Sequence, residues 1–339
     1  MNAHSTMMAY WPARTLQAAV RLGIFDQLAR GPQSGAQVAA ALGLNPAATE
    51  RLLQALTSLG WVDQSGMGYA NSKSAALTLV SGSPFYVGGA AHHHTEQLWP
   101  LWSHLETAVR EGRSVMREAF GAGNNPFDRF ETSPQEVIKF LAGMHGGAVG
   151  LSDALLSAYN FSGHRHLVDV GGATGAVSGP VAQRYPHLRV TVMELPAVAR
   201  VLPPILQQYG LGDRIAAHAG DFFRPESFPP GFDAALLGRV LHNWSDEKAL
   251  QILRNIQGAL TPGGTVLILE SLKDCPDPAG RAFTALSDLT MLVMTGGGRE
   301  RTGPEYERLL AAAGLRPVAT LRGDGPVAVV VGQKPPLVR

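Results

Sequence analysis

Five short apolar runs follow one another from His166 onward, each closed by a polar residue, and they leave few folds open. The runs are LVDV, VTVME, IAAHAG, AALLG and TVLILE, with helical stretches between them; RPVATLR and VAVVVG come last, separated by Gly323-Asp-Gly-Pro326. Strand and helix in alternation predict an α/β fold around a mostly parallel sheet. A four-residue connection is too short for a crossover, so the last strand is expected to run antiparallel. In such open sheets ligands bind beyond the carboxyl ends of the strands. Asp169, Glu194, Asp221, His242 and Glu270 stand at or just after the five ends. A helix cap or turn former explains one such residue, but five in register point to a site.

The first 95 residues have a different texture. Leu16, Val20, Ile24 and Leu28 have near-helical spacing over residues 13–30, and Gly31-Pro32 stops that helix. Ser34 can cap a second helix carrying Val38 and Leu42, and Asn45-Pro46 opens a third with Leu52, Leu53, Leu56 and Leu59 on one side. Trp61-Val62 and Tyr69 flank the turn Gln64-Ser65-Gly66, which reads as a hairpin. Three helices and a hairpin make a winged-helix pattern. Residues 96–160 carry Trp99, Trp102, Phe120, Phe127, Phe130 and Phe140, so they form a packed connector rather than a flexible linker. The expected organisation is therefore 1–95, 96–160 and 161–339.

Charge excludes several classes of partner. The chain of 339 residues has 28 Lys+Arg against 27 Asp+Glu, which gives no general attraction to phosphate backbones or anionic membranes. The third helix, where a winged helix would read DNA, holds one arginine and one glutamate, Arg51 and Glu50, so nucleic acid is not expected. The longest apolar runs fall far short of the ~20 residues that span a bilayer. The N-terminus lacks the pattern of a signal peptide. Cys275 is the single cysteine, which excludes an intrachain disulfide framework. A cytoplasmic protein is expected.

The strand-end residues suggest a ligand. Gly171-Gly172-Ala173-Thr174-Gly175 lets the backbone turn tightly and approach a bound molecule. It does not meet the G-x-G-x-x-G fingerprint, and the acidic Asp169 ahead of it would sit badly beside a pyrophosphate. Glu194, 23 residues after Gly171, is placed to accept from two ribose hydroxyls. Asp221-Phe222 offers a carboxylate for an amino group and a ring for a purine. A nucleoside without phosphate is implied.

DVGGATG at 169–175, MELPAV at 193–198, GDFF at 220–223, GRVLHNWSDEKALQIL at 238–253, TPGGTVLILE at 261–270 and GGGRERT at 296–302 together resemble the S-adenosylmethionine-dependent O-methyltransferases of the caffeate and acetylserotonin type. The resemblance covers nearly the whole chain and implies a Rossmann-like class I methyltransferase sheet with an N-terminal winged-helix domain that makes a homodimer. It implies S-adenosylmethionine as cofactor, S-adenosylhomocysteine as product, no metal, and a small-molecule acceptor with a phenolic hydroxyl, as in secondary metabolism. Residue by residue, Gly171, Glu194, Asp221, Phe222 and Arg239 would bind the cofactor. His242 matches the general base, and Glu270 and Glu300 the acidic residues flanking it. Met144, Met291 and Asn243 would face the acceptor. Asn243 stands where many members have Asp, and Gly238 replaces a polar residue common four positions before the histidine.

Methyl transfer from a sulfonium is an in-line displacement, in which positioning supplies much of the rate. A phenol of pKa ~10 keeps its proton at neutral pH, and a neutral imidazole can take it as the bond to carbon forms. Glu270 or Glu300 would fix the imidazole tautomer and stabilise the imidazolium. His92, His93 and His94 look like a metal tract, but neighbours on one helix point in different directions and cannot chelate one ion together. Two other readings are a relative that uses the bound cofactor for hydroxylation or pericyclic chemistry, and a winged-helix regulator.

Overall fold

In the computed structural model of the protein, the described residues are 2–66, 68–83, 85–121, 133–148, 150–323 and 325–336. Phe127, Phe130 and Asp324 of the sequence reading lie outside them. The chain divides into two compact units, one of residues 1–97 with 142–147, the other of 98–141 with 148–339.

The smaller unit is helical, with a two-stranded antiparallel hairpin of β1 (Val62–Ser65) and β2 (Gly68–Asn71). The helix expected over 13–30 is in fact two, Tyr10–Arg21 and Ile24–Leu28. Gly23, at φ 76°, takes the left-handed conformation that ends the first and restarts the chain for the second. Ser34 forms a capping box with Gln37, and Asn45 caps the helix Pro46–Ser58. Leu53 and Leu56 of that helix are fully buried with Ile24, Phe25, Val38, Val62 and Tyr69, whereas Leu59 is partly exposed. Met7, Tyr10 and Trp11 leave half or more of their surface in solvent.

The larger unit is built on a seven-stranded sheet in the order β5, β4, β3, β6, β7, β9, β8. The strands are β3 (His166–Val170), β4 (Arg189–Glu194), β5 (Ile215–Ala219), β6 (Ala234–Gly238), β7 (Thr265–Ser271), β8 (Arg316–Arg322) and β9 (Val327–Gln333). The first five pair in parallel, and β9 inserts antiparallel between β7 and β8. Every residue of β3 and β7 is buried, as expected of strands covered by helices on both faces. One layer packs Val168, Val170, Leu237 and Ile268 on Ile252, Leu253, Ile256 and Leu310; the opposite layer packs Leu167, Val192, Leu236 and Leu269 on Val181, Leu202 and Leu206. The strand order reverses at β3, with β4 on one side and β6 on the other, which makes its carboxyl end the switch point where ligands bind. In this unit Leu101, Ala108, Val115 and Met116 of the connector bury against Val293. Among the described residues no helix is long and apolar enough to cross a membrane.

Candidate active site

The carboxyl end of β3 runs into a loop that the sequence can form only with glycine. Gly171 and Gly175 both have φ 70°, and a side chain at Gly172 would overlap the carboxyl of Asp169. Ala173 adopts φ 49°, rare without glycine and characteristic of strain held at a functional site. Glu194, the last residue of β4, braces this loop: Oε1 accepts from the Ala173 N–H at 3.0 Å, and Oε2 from the Leu195 N–H at 3.1 Å. Burial pushes the Glu194 carboxyl up to about 7, against those two donors, and the charge of Asp169 adds to the rise. Asp169 itself is buried and pushed up to about 6, and its Oδ2 has no hydrogen-bond partner among the described residues. Two carboxyls raised by desolvation with no cation at hand among the described residues, beside a strained glycine loop, suit a polar ligand bearing hydroxyl and amino donors.

Beyond β5, Asp221 turns the chain by accepting from the Phe223 N–H at 2.9 Å. Ser227, which the sequence reading passed over, clasps the same residue: its hydroxyl donates to the Asp221 carbonyl at 2.7 Å and accepts from the Asp221 N–H at 3.0 Å. Asn255 donates to the Phe222 carbonyl at 2.9 Å. Phe222 and Phe223 meet Trp244 edge to face, and a Cβ on Gly171 would come within 3.8 Å of the Phe222 ring, so this ring borders the glycine loop.

The other strand ends converge on His242. A single 3-10 turn, Leu241–Asn243, follows β6 and presents the imidazole, which is 6% exposed. Its Nδ1 lies 3.0 Å from Glu300 Oε1 and 3.9 Å from Glu270 Oε2, while its backbone N–H donates to Glu270 Oε1 at 3.3 Å. Nε2 makes no hydrogen bond with any described residue, so the face of the ring away from the carboxylates is left for a reacting group. Arg239, at φ 58°, reaches back over the acids: Nη2 is 3.1 Å from Glu300 and Nη1 3.5 Å from Glu270, and Nη2 also donates to Ser287 at 3.0 Å. Ser287 in turn donates to Glu300 at 2.6 Å. Burial alone would raise Glu300, but His242, Arg239 and Ser287 outweigh it and hold that carboxyl well below the usual range. For Glu270 burial wins over His242 and Arg239, and its carboxyl is raised. Donor atoms of His242, Glu270 and Glu300 lie within 4.8 Å of one another, a set that a cation could use, but the Arg239 guanidinium already supplies positive charge there.

The remaining sequence-predicted residues fall in different places. Met291 is buried on the helix Pro278–Met294. Asn243 donates its amide to the Arg239 carbonyl at 3.4 Å, so it stabilises its own turn. Met144 lies half-buried on the helix Pro134–Ala148, in the smaller unit. In that unit His92 pairs with Glu96 at 3.7 Å, one helical turn away, and the π-helical segment His94–Leu98 follows.

A conserved family model of the O-methyltransferase domain matches residues 102–316, and the O-methyltransferase dimerisation domain matches residues 5–81. The chain belongs to the S-adenosylmethionine-dependent O-methyltransferases. Mouse acetylserotonin O-methyltransferase is 37% identical over 328 residues, covering 94% of this chain and 84% of that protein. The 3-hydroxy-5-methyl-1-naphthoate 3-O-methyltransferase of Streptomyces sahachiroi is 35% identical, covering 96% and 92%. Human N-acetylserotonin methyltransferase in complex with S-adenosylmethionine superposes with a TM-score of 0.87 at 29% identity, covering 99% of each chain. The protein is thus an O-methyltransferase of small molecules that uses S-adenosylmethionine, on the mostly parallel class I sheet expected from the sequence.

Proposed function

We propose that this O-methyltransferase methylates a phenolic hydroxyl with His242 as general base, without a metal. The observation that carries the reading is the one-sided imidazole, with Nδ1 held by Glu300 at 3.0 Å and Nε2 left for the acceptor. The glycine loop, Glu194, Asp221 and Phe222 suit the hydroxyls, amino group and ring of S-adenosylmethionine, which supplies a methyl group activated by the sulfonium. Glu300, kept ionised by Arg239, holds the proton on Nδ1, so that Nε2 is the basic nitrogen. Nε2 takes the phenolic proton as the acceptor oxygen becomes nucleophilic, and Glu300 offsets the charge of the imidazolium that results. The neutral form that burial favours at Glu270 lowers the repulsion between the two acids. Arg239, expected from the resemblance to touch the cofactor, faces the acids, so its part in this reading is to balance their charge. Retention of the base and both carboxyls favours methylation over hydroxylation or pericyclic chemistry. Product mass after incubating the enzyme with a panel of phenols and methyl-labelled cofactor tests the acceptor class; transfer to amines but to no hydroxyl would overturn it.

The active form is proposed to be a homodimer joined through residues 5–81. Met7, Tyr10 and Trp11 expose more apolar surface than one short helical stretch normally leaves in water, and they lie within or beside the match to the dimerisation domain. Light scattering on the Tyr10→Asp, Trp11→Asp double variant should give a monomer, and a monomeric parent protein would contradict the proposal.

A further inference from the structure

Three segments distant in sequence bring together His242, Glu270 and Glu300, and one residue that the sequence reading passed over joins the three segments through its side chain and its backbone. Arg301 is fully buried, an expensive place for a guanidinium. Its backbone pairs in parallel with Leu272, two residues beyond Glu270, and its carbonyl accepts from the Lys273 N–H at 3.0 Å. Its neighbour in the chain is Glu300. Its side chain spans the turn that carries His242: Nη1 donates to the Leu241 carbonyl at 2.9 Å and Nη2 to the Trp244 carbonyl at 2.7 Å, one on each side of the histidine. Nε donates to Asp246 Oδ1 at 2.9 Å, and the Tyr306 ring lies beneath, 5.7 Å from the guanidinium carbon. Gly298 closes the turn from the loop side, since a Cβ there would come within 2.6 Å of the His242 carbonyl oxygen and 2.7 Å of the Asn243 carbonyl carbon.

We propose that Arg301 is a positioning residue that sets His242 against Glu300 by clamping both flanks of the His242 turn to the strand end that carries Glu270. It acts through main-chain carbonyls, and no hydrogen bond joins it to the imidazole. An apolar side chain would fill the same volume without the desolvation cost, so the charge is kept for the directional bonds it makes. The consequence is specific: loss of the clamp loosens the imidazole while the cofactor loop beyond β3 and β4 keeps its own bracing. The inference rests on the reading of His242 as the base.

Arg301→Lys keeps the charge and loses the fork. In the full-length enzyme its kcat should fall about 10- to 100-fold, with KM for cofactor and acceptor within about twofold, the scale expected when a reacting group is misplaced by an ångström. Introduced into His242→Ala, the same change should cost less than about twofold, because a residue acting through the histidine has nothing left to position. Unchanged kcat in the single variant, or an equal loss in both backgrounds, would overturn the proposal. Failure of the base reading is told apart from this, since His242→Ala alone would then keep its turnover. Should Arg301→Lys not fold, Asp246→Asn removes the carboxylate from Nε at a half-exposed position, with a loss in kcat of about three- to tenfold that again vanishes without His242. Unchanged kcat in that variant would equally overturn the clamp.

Discussion

The carboxyl groups at the ends of β3 and β4 and the carboxyl group hydrogen-bonded to His242 Nδ1 are kept in opposite states. Asp169, buried at β3, and Glu194, partly buried at the end of β4, have no cation close by among the described residues, and desolvation pushes their carboxyls up to about 6 and about 7. Glu300, fully buried, has His242 at 3.0 Å and Arg239 at 3.1 Å and is held below the usual range. Desolvation raises all three, so the difference lies in the partners that Glu300 alone has, His242 first, then Arg239 and Ser287. On the proposed mechanism, the carboxylate that orients the base is charged in advance. The carboxyls proposed to meet the cofactor can take up a proton until it arrives.

The largest effect should come from the base itself. His242→Ala is expected to lower turnover by about 10² to 10⁴, the range for loss of a general base, with cofactor affinity nearly unchanged. Steady-state rates beside calorimetric titration check both halves; near wild-type turnover at neutral pH would remove His242 from the mechanism. Beside the glycine loop, Glu194→Ala should weaken S-adenosylmethionine by roughly 1.5–3 kcal/mol, the scale of lost charge-assisted hydrogen bonds. Unchanged affinity in a calorimetric titration would place the ribose elsewhere.

Proton linkage gives a smaller effect of definite sign. Glu194 is raised in the free protein and the ligand favours its ionised form, so binding should release protons as pH falls from about 7 toward 5. Affinity should then fall with pH by at most about tenfold per unit, and calorimetry in buffers of different ionisation enthalpy reads the released proton. In the Glu194→Gln variant that release should disappear. The same shift predicts stability of the ligand-free protein with the opposite slope: over this window the native state binds more protons than the unfolded chain, so these two carboxyls make it less stable as pH rises. The smallest expected effect is none. EDTA should leave the rate unchanged, because the proposed chemistry uses no cation beyond the Arg239 guanidinium beside Glu270 and Glu300, and a loss restored by one divalent metal would make the three-residue cluster a metal centre.

The strand-end residues were legible in the sequence because a buried parallel strand writes itself as a short apolar run, and its first polar residue marks the rim. Asp169, Glu194 and Glu270 were readable on that ground alone. The long N-terminal helix was misread because Leu16, Val20, Ile24 and Leu28 keep helical spacing across a break that only the backbone angle of Gly23 reveals. Arg301 and Ser227 were missed for another reason: Arg301 acts on backbone carbonyls of a segment distant in sequence and Ser227 on the backbone of nearby Asp221, and backbone partners leave no pattern of side chains to read. The direction of Arg239 was also hidden, since it depends on the positive φ of that residue and on which strand lies next to β6.

The proposed division of labour between Glu194 and Glu300 is tested most directly by measuring cofactor Kd and kcat at saturation for Glu300→Gln and Glu194→Gln side by side. Glu300→Gln should lower kcat by at least about tenfold and leave Kd within about twofold, because the carboxylate acts only through the imidazole. Glu194→Gln should raise Kd by about tenfold and leave kcat at saturation within about threefold. Glu300→Gln weakening the cofactor as much as Glu194→Gln does, or Glu194→Gln losing kcat at saturation as much as Glu300→Gln does, would contradict the separation of binding from base chemistry.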